Sequence, residues 1–423
     1  MDLEGKGQAE ERERPDITPD FQLLEGGSEI LGTTAYWSDM DVLCILPKYI
    51  NIYDFIAEDA SGLYGSLMAI MGSDNINIVK TSRILMLEFK MNGIDVDLIY
   101  AQIPFEKIET NFDIMDNEII EENKNKRSIL ALAGVRCLIN IRQEYICQNQ
   151  GLLVSLMRYM KIWAKNRLIY SNIAGYLSGH SLSIMSAKIC IEFPEATSLS
   201  FVIKQFFKLY NSWNWGEEPV FLVDLIDTND VFENASTIVE PWRWVKNDDS
   251  SSETGSSEKR GTNEGNNGTQ MSIITPGFPE QNTTFNVNKF TLKMIVGEIE
   301  RGFTLINQES TNVWNALITP LDWKTDYNFF ILILCRAGEF EVKNKLQKIS
   351  KLIYILFLSK NMPGVPCSMN GHGLSGIFLK RGDGSGGGII FSGREGAFFY
   401  GVGVRGGTIT KNARRKTQRK AKI

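Results

Sequence analysis

Histidine is nearly missing from these 423 residues: only His180 and His372 occur. That excludes a histidine-rich zinc site and leaves little room for a Ser-His-Asp triad. The six cysteines (44, 137, 147, 190, 335 and 367) are scattered, with no Cys-x-x-Cys pair. They read as reduced thiols of an intracellular protein, not as a disulfide framework. No apolar run approaches the roughly 18 residues of a membrane span. The longest, such as Phe329–Leu334, has the length of a strand. The charged, polar N-terminus lacks the apolar stretch of a signal peptide. Net positive charge is also lacking. The formal charge is −5, which excludes a uniformly basic nucleic-acid binder but not a local basic groove.

Carboxylates in an ordered pattern are present. Ser38-Asp39-Met40-Asp41-Val42 opens the apolar run Val42–Leu46, and Ile94-Asp95-Val96-Asp97-Leu98-Ile99 forms a second run. Residues two apart on a strand share a face, about 6.6 Å apart along the chain at about 3.3 Å per residue. Asp39 and Asp41 therefore converge, and Asp97 joins them if the second run is the neighbouring strand. Such a set suits a pair of divalent ions about 3.5–4 Å apart. Its hard oxygens favour Mg²⁺ or Mn²⁺ over zinc. Asp95 shares a face with Asp97. Asp97 is taken as the ligand because it directly precedes the apolar run 98–101, with Asp95 as a solvated neighbour. Upstream, Gly27-Ser28 lies in Gly27–Gly32. A Gly-Ser turn lets backbone N–H groups approach phosphate oxygens closely. An Asp-x-Asp alone is common at strand ends, and the upstream loop and the second strand are what raise it to a candidate site.

Organisation follows from composition and periodicity. Residues 1–19 are charged and are expected to be disordered. Residues 20–105 suit an α/β palm with a helical stretch around 53–70. Residues 106–322 are expected to be mainly helical, with Leu152, Leu153, Leu156, Met160 and Trp163 at helical spacing, and a second helix over 182–193. Residues 247–269 hold no aliphatic or aromatic residue and are expected to form a disordered loop. Residues 323–405 alternate strand-like runs (329–334, 389–391, 398–404) with a helix at 342–359. A tail, 406–423, carries seven basic residues in Lys411–Lys422 and no acidic one. It suits nuclear import or attraction to RNA phosphates, with a solvated solubility tail as the plain alternative.

On the helix preceding Tyr170, Lys161 and Lys165 are four apart and share a face. They could clamp a triphosphate, although an amphipathic core helix with a solvated lysine face explains the same pattern. Tyr170 and Asn172 follow just past the helix end.

The segments 27–32, 38–47, 93–101, 161–175, Phe206-Phe207 with Trp213-Asn214-Trp215, and Ile273–Val287 occur in this order over residues 20–320. Together they resemble the eukaryotic nuclear poly(A) polymerase family. The resemblance implies a polymerase β-like nucleotidyltransferase palm, a helical middle domain and a shortened C-terminal RRM-like α/β sandwich. It implies template-independent addition of AMP from ATP to RNA 3′ ends, with two Mg²⁺ or Mn²⁺ ions, release of pyrophosphate and a nuclear location. RNA 3′ ends and cleavage and polyadenylation factors are the partners it suggests, with no membrane. Carried over residue by residue, Asp39, Asp41 and Asp97 match the catalytic metal ligands and Gly27 and Ser28 the phosphate loop. Lys161, Lys165, Tyr170 and Asn172 match nucleotide-contacting positions. Gly179 and His180 lie in the matching nucleotide-pocket turn. The chain departs from the family pattern at Gly26 (Phe in the family), Ala133 (Asn), Ser178 (Gly) and His180 (Val). It also has fewer residues before the Gly-Ser loop, as in a fragment, a misassigned start or a reduced form. The alternatives are another terminal nucleotidyltransferase, uridylyl- or CCA-type, and a degenerate, non-catalytic RNA-binding protein.

Overall fold

The computed structural model describes residues 21–35, 38–109, 111–143, 149–222, 238–242, 270–308 and 312–321, with the backbone of strands within 329–401. The segments 1–19, 247–269, 342–359 and 406–423, for which disorder, a helix or a basic tail is expected, lie outside the described residues.

The first unit is a five-stranded mixed sheet: β1 (Gln22–Glu25), β2 (Met40–Leu46), β3 (Ile76–Lys80), β4 (Leu85–Met91) and β5 (Ile94–Gln102). Its spatial order is β1-β2-β5-β4-β3, with only β2 and β5 parallel. Side chains alternate between two faces. One face carries Cys44, Leu46, Leu85, Leu87 and Tyr100 into a core with Phe55. Helices α2 (Ile52–Ile56) and α3 (Leu63–Met71) cover that face. The helical stretch expected around 53–70 is thus two helices. The break is local: a Cβ at Gly62 would lie 2.6 Å from the Ala57 carbonyl oxygen, so the chain must turn there with glycine. The opposite face carries Leu43, Ile45 and Ala101 into the main core.

The short helix α4 (Glu118–Glu121) leads to α5 (Lys126–Gln143), which packs on that opposite face. It opens a helical unit with α6 (Gln150–Asn166), α7 (Gly179–Glu192), α8 (Leu199–Asn211), α9 (Lys289–Ile306) and α10 (Val313–Ile318). The periodicity of 152–163 falls inside α6, and that of 182–193 falls in α7 except for Phe193, which caps its C-terminal end. Trp163, fully buried on α6, packs edge-to-face on Phe207 of α8 with ring centroids 5.2 Å apart. The Ile273–Val287 stretch is non-helical and is held by its own polar groups. Asn282 donates to the Met271 carbonyl at 3.2 Å, and Thr283 donates to the Ile273 carbonyl at 2.9 Å.

Farther along, β6 (Phe329–Ile333), β7 (Cys367–Asn370), β8 (Leu374–Lys380), β9 (Gly386–Ser392) and β10 (Tyr400–Gly401) form a second sheet in the order β10-β6-β9-β8-β7. Residues 329–333 of the first strand-like run form β6, the run 389–391 falls in β9, and the run 398–404 contains the two-residue β10.

Candidate active site

Strand register builds the site. In the parallel β2–β5 pair Asp41 stands opposite Asp97, and in the antiparallel β4–β5 pair Asp97 stands opposite Glu88. Paired residues on adjacent strands share a face, so Asp41, Asp97 and Glu88 form an acidic row. They lie on the Leu43 and Ile45 face, one step beyond the part that α5 covers. Asp39 immediately precedes β2 and is exposed, a small correction to a placement on the strand itself.

Burial and mutual repulsion act strongly on this row. Desolvation, then the Asp39 charge, pushes the Asp41 carboxyl up to about 6, with Lys161 pulling it back. Desolvation, then Asp41, Glu88, Asp39 and Asp95, pushes Asp97 up to about 7. Burial and the neighbouring carboxylates thus disfavour the ionised forms of Asp41 and Asp97, a penalty that a bound cation would offset. The donor set therefore suits a hard divalent cation. Among the described residues no three Asp, Glu, His or Cys side chains are gathered closely enough to hold an ion as they stand. The carboxylates would have to draw together on binding.

The Gly-Ser turn abuts this row. Gly27 opens a one-turn helix, α1 (Gly27–Ile30), directly after β1. The Gly26 N–H donates to the Asp41 carbonyl at 2.8 Å. Gly27 has φ +51°, and a Cβ there would lie 1.7 Å from Asp41 Oδ2. Only glycine lets the loop come this close to the carboxylate. Ser28 is half-buried beside it, its carbonyl accepting from the Thr33 N–H at 2.9 Å. Two arginines of the helical unit hold the far end of α1. Arg142 donates to the Ile30 carbonyl at 2.9 Å and Arg158 to the Gly32 carbonyl at 2.7 Å.

The helical unit supplies the cationic side. Lys161 and Lys165 are half-buried on α6, and both act electrostatically on the palm carboxylates or are acted on by them. Burial, then Lys161, lowers the Lys165 pKa, and Asp39 opposes that shift. The Lys165 Nζ lies 5.4 Å from the centroid of the Tyr170 ring. Burial, then Asp39 and Asp41, pushes the Tyr170 phenol up to about 12. Asn172 begins a short 3₁₀ turn, and its side-chain oxygen is buried without a hydrogen-bond partner. A buried acceptor in that state costs about 1–3 kcal/mol, so a ligand donor there would relieve it.

Tyr170 also meets the start of α7. A Cβ at Gly179 would lie 3.3 Å from the Tyr170 hydroxyl oxygen. Ser178 caps α7, its hydroxyl oxygen accepting from the Ser181 N–H at 3.0 Å. Serine in place of the family's glycine is therefore a capping choice. His180 is half-buried, its Nε2 3.3 Å from the Gly134 carbonyl. Burial lowers its pKa against that hydrogen bond, so the imidazole is neutral with Nε2–H as donor. Ala133 adjoins Gly134, so two of the departures meet in one place.

Asp95 stands apart from the row. It pairs with Lys90 at 3.1 Å on an exposed part of the hairpin. Such surface pairs contribute about 0–1 kcal/mol. Asp95→Ala is accordingly expected to leave turnover within about threefold of wild type and the melting temperature nearly unchanged, read by primer extension and calorimetry. An inactive Asp95→Ala would contradict the choice of Asp97.

Glu88 was missed in the sequence, although a signal was there. Asn92-Gly93 is a two-residue hairpin turn with positive φ at both positions, 51° and 86°. Counting back from it pairs Met91 with Ile94, Lys90 with Asp95 and Glu88 with Asp97.

The poly(A) polymerase nucleotidyltransferase domain model matches residues 18–143, and the poly(A) polymerase central domain model matches residues 153–320. A poly(A) polymerase of Dictyostelium discoideum is 30% identical over 82% of this chain and 39% of its own length. Nuclear poly(A) polymerase 1 of Arabidopsis thaliana is 26% identical over 74% of this chain and 40% of its own. The poly(A) polymerase pla1 of Schizosaccharomyces pombe is 26% identical over 77% and 52%. The chain thus spans about two fifths to one half of the length of these relatives. Among solved structures, the Cid1 poly(U) polymerase with Mg 3′-dATP bound superimposes with a TM-score of 0.45, at 15% identity, over 72% of this chain and 88% of that one. With both domain models matched in order over more than two thirds of its residues, and with a mixed-sheet nucleotidyltransferase palm beside a helical unit, the chain belongs to the poly(A) polymerase family.

Proposed function

We propose that this protein transfers AMP from ATP to the 3′ end of RNA without a template and releases pyrophosphate. One observation carries the reading beyond family membership. Asp39 and Asp41 of the palm and the Lys161, Lys165 and Tyr170 group of the helical unit act on one another electrostatically, and the Gly-Ser turn abuts Asp41. Asp39, Asp41 and Asp97 are the residues to hold divalent cations, Mg²⁺ or Mn²⁺. When bound, these supply Lewis acidity toward the attacking hydroxyl and neutralise the leaving pyrophosphate.

The chain's own residues do the rest. Gly27 and Ser28 offer backbone and hydroxyl groups to phosphate oxygens. Lys161 and Lys165 bind the triphosphate as point charges. Lys165 is also held over the Tyr170 ring, which fixes where its charge sits. Tyr170, the unpartnered Asn172 oxygen, Gly179 and His180 line the place for base and sugar. The primer 3′ hydroxyl oxygen attacks the α-phosphorus, its proton passing to water, and the bond to the pyrophosphate oxygen breaks. In this reading residues 20–105 are the catalytic palm, 106–322 the middle domain, and 323–405 an RNA-binding domain of RRM-like type. The family likeness to nuclear enzymes supports a nuclear location and contact with cleavage and polyadenylation factors.

Base choice is the test. A pocket discriminates strongly when the wrong base leaves buried polar groups unpaired. The Tyr170–Asn172 stretch matches the family's nucleotide-contacting positions, so kcat/KM on an oligo(A) primer is expected to favour ATP over UTP by at least about tenfold. Ala133 and His180 favour a second reading, terminal transfer with another base. Comparable kcat/KM values for ATP and UTP would establish that one instead.

A further inference from the structure

The end of α6 is fixed by a buried ionic network remote in sequence. Arg167, the first residue past the helix, binds Glu298 of α9 with two hydrogen bonds, Nε to Oε2 at 2.8 Å and Nη2 to Oε1 at 3.0 Å. The two side chains are 10% and 11% exposed, so this is not a solvent-screened surface pair. Arg301, one turn further on α9, donates its Nε to the same Glu298 Oε2 at 2.8 Å. One carboxylate thus sits between two guanidiniums.

The remaining donors close the end of α10. The last carbonyls of a helix have no partner within it. Here Arg301 donates to the Ala316 and Leu317 carbonyls at 3.2 and 2.8 Å, Asn166 to Ile318 at 2.6 Å, and Arg167 to Thr319 at 3.1 Å. Three helices are therefore locked at one point.

That point lies between Lys165 and Tyr170. The chain reverses there through Leu168 at φ +59°, a conformation that costs a non-glycine residue roughly 1–2 kcal/mol. The Ile169 N–H returns to the Ala164 carbonyl at 2.9 Å, and Tyr170 then bridges to Leu177. Helix ends ordinarily fray. This one is strained and sits between two residues assigned to the nucleotide. Something must hold it, and the Arg167 side chain is what leaves the turn for a buried anchor.

We propose that Arg167 and Glu298, braced by Arg301, are positioning residues that set the Lys165–Tyr170 pair for the nucleotide. The inference rests on the adenylyl-transfer reading. It predicts a particular kinetic signature. Loosening the turn displaces contacts made to bound ATP, which raises KM for ATP. A merely structural role lowers the folded fraction, and so the apparent kcat, without moving KM.

The test uses the full chain and an oligo(A) primer, with initial rates over a range of ATP concentrations and melting temperatures measured alongside. Glu298→Gln and Arg167→Met are each expected to raise KM for ATP by about tenfold or more, with kcat at saturating ATP changed less than about threefold. Arg167→Lys, which keeps the charge but loses the two-pronged geometry, covers the case in which the harsher variants fail to fold. It is expected to raise KM by about threefold. Val202→Ala on α8, a buried residue outside the Arg167–Glu298–Arg301 network, is expected to lower the melting temperature with KM unchanged. An active wild type whose KM for ATP stays the same in Arg167→Lys and in every folded variant overturns this inference alone. An inactive wild type overturns the adenylyl-transfer reading and this inference with it.

Discussion

Asp97→Asn is expected to abolish nucleotide addition and yet to make the metal-free protein more stable at pH 8. Both effects come from one cause. Asp97 faces Asp41 and Glu88 across two strand pairs, and burial with these charges pushes its pKa from 3.8 up to about 7. A carboxyl with a raised folded-state pKa holds its proton more tightly folded than unfolded. Folding stability then falls as pH rises from about 4, and the full penalty is present above about 7. Asparagine keeps the shape and removes the charge. If only about 1 kcal/mol of that penalty survives solvent screening at this half-buried site, the melting temperature rises by about 2–4 °C at pH 8 and not at pH 4. Activity should fall by more than about 100-fold, because a charge that stabilises the reacting centre contributes at least as much as a single oxyanion-hole donor. Asp41→Asn should behave alike, its own pKa being pushed up to about 6. A variant that loses activity and melting temperature together at pH 8 would show that the carboxylate serves the fold and not the chemistry.

The second large effect is expected at Gly27. Alanine there meets two obstacles. The backbone is at φ +51°, and the new methyl group would lie 1.7 Å from Asp41 Oδ2. The left-handed conformation costs roughly 1–2 kcal/mol, which the fold can absorb. The carboxylate cannot stay where it is, and a displacement of about 1 Å at a reacting centre can cost about 100-fold in rate. Gly27→Ala is therefore expected to stay folded, with a modestly lower urea midpoint, and to lose about two orders of magnitude in kcat/KM. Wild-type kinetics in this variant would mean that the turn and Asp41 act independently.

Much of this site was legible because its parts are local in sequence. Asp39 and Asp41 stand at the mouth of a run of apolar residues, and the same run fixes which face each side chain takes. The lysines of α6 share a face by helical spacing alone. The Asn92-Gly93 turn even contained the register that adds Glu88 to the acidic row. What sequence could not give was long-range. Nothing near Arg167 announces a partner at Glu298, since ion pairs across a fold leave no periodic trace. Ser178 read as a departure because its capping bond to Ser181 depends on where α7 begins. The helical stretch expected around 53–70 is interrupted between Ala57 and Gly62, where Gly62 passes too close to the Ala57 carbonyl for a Cβ, a contact that composition does not carry.

The most direct measurement is extension of a labelled oligo(A) primer by the purified full chain, offering each nucleoside triphosphate in turn with Mg²⁺ or Mn²⁺ and following pyrophosphate. The account predicts extension with ATP, one pyrophosphate released per nucleotide added, and none of either after chelation or in Asp39→Ala, Asp41→Ala or Asp97→Ala. A folded wild-type chain that extends the primer with none of the triphosphates, or folded Asp39→Ala, Asp41→Ala or Asp97→Ala variants that extend it as well as the wild type does, would contradict it.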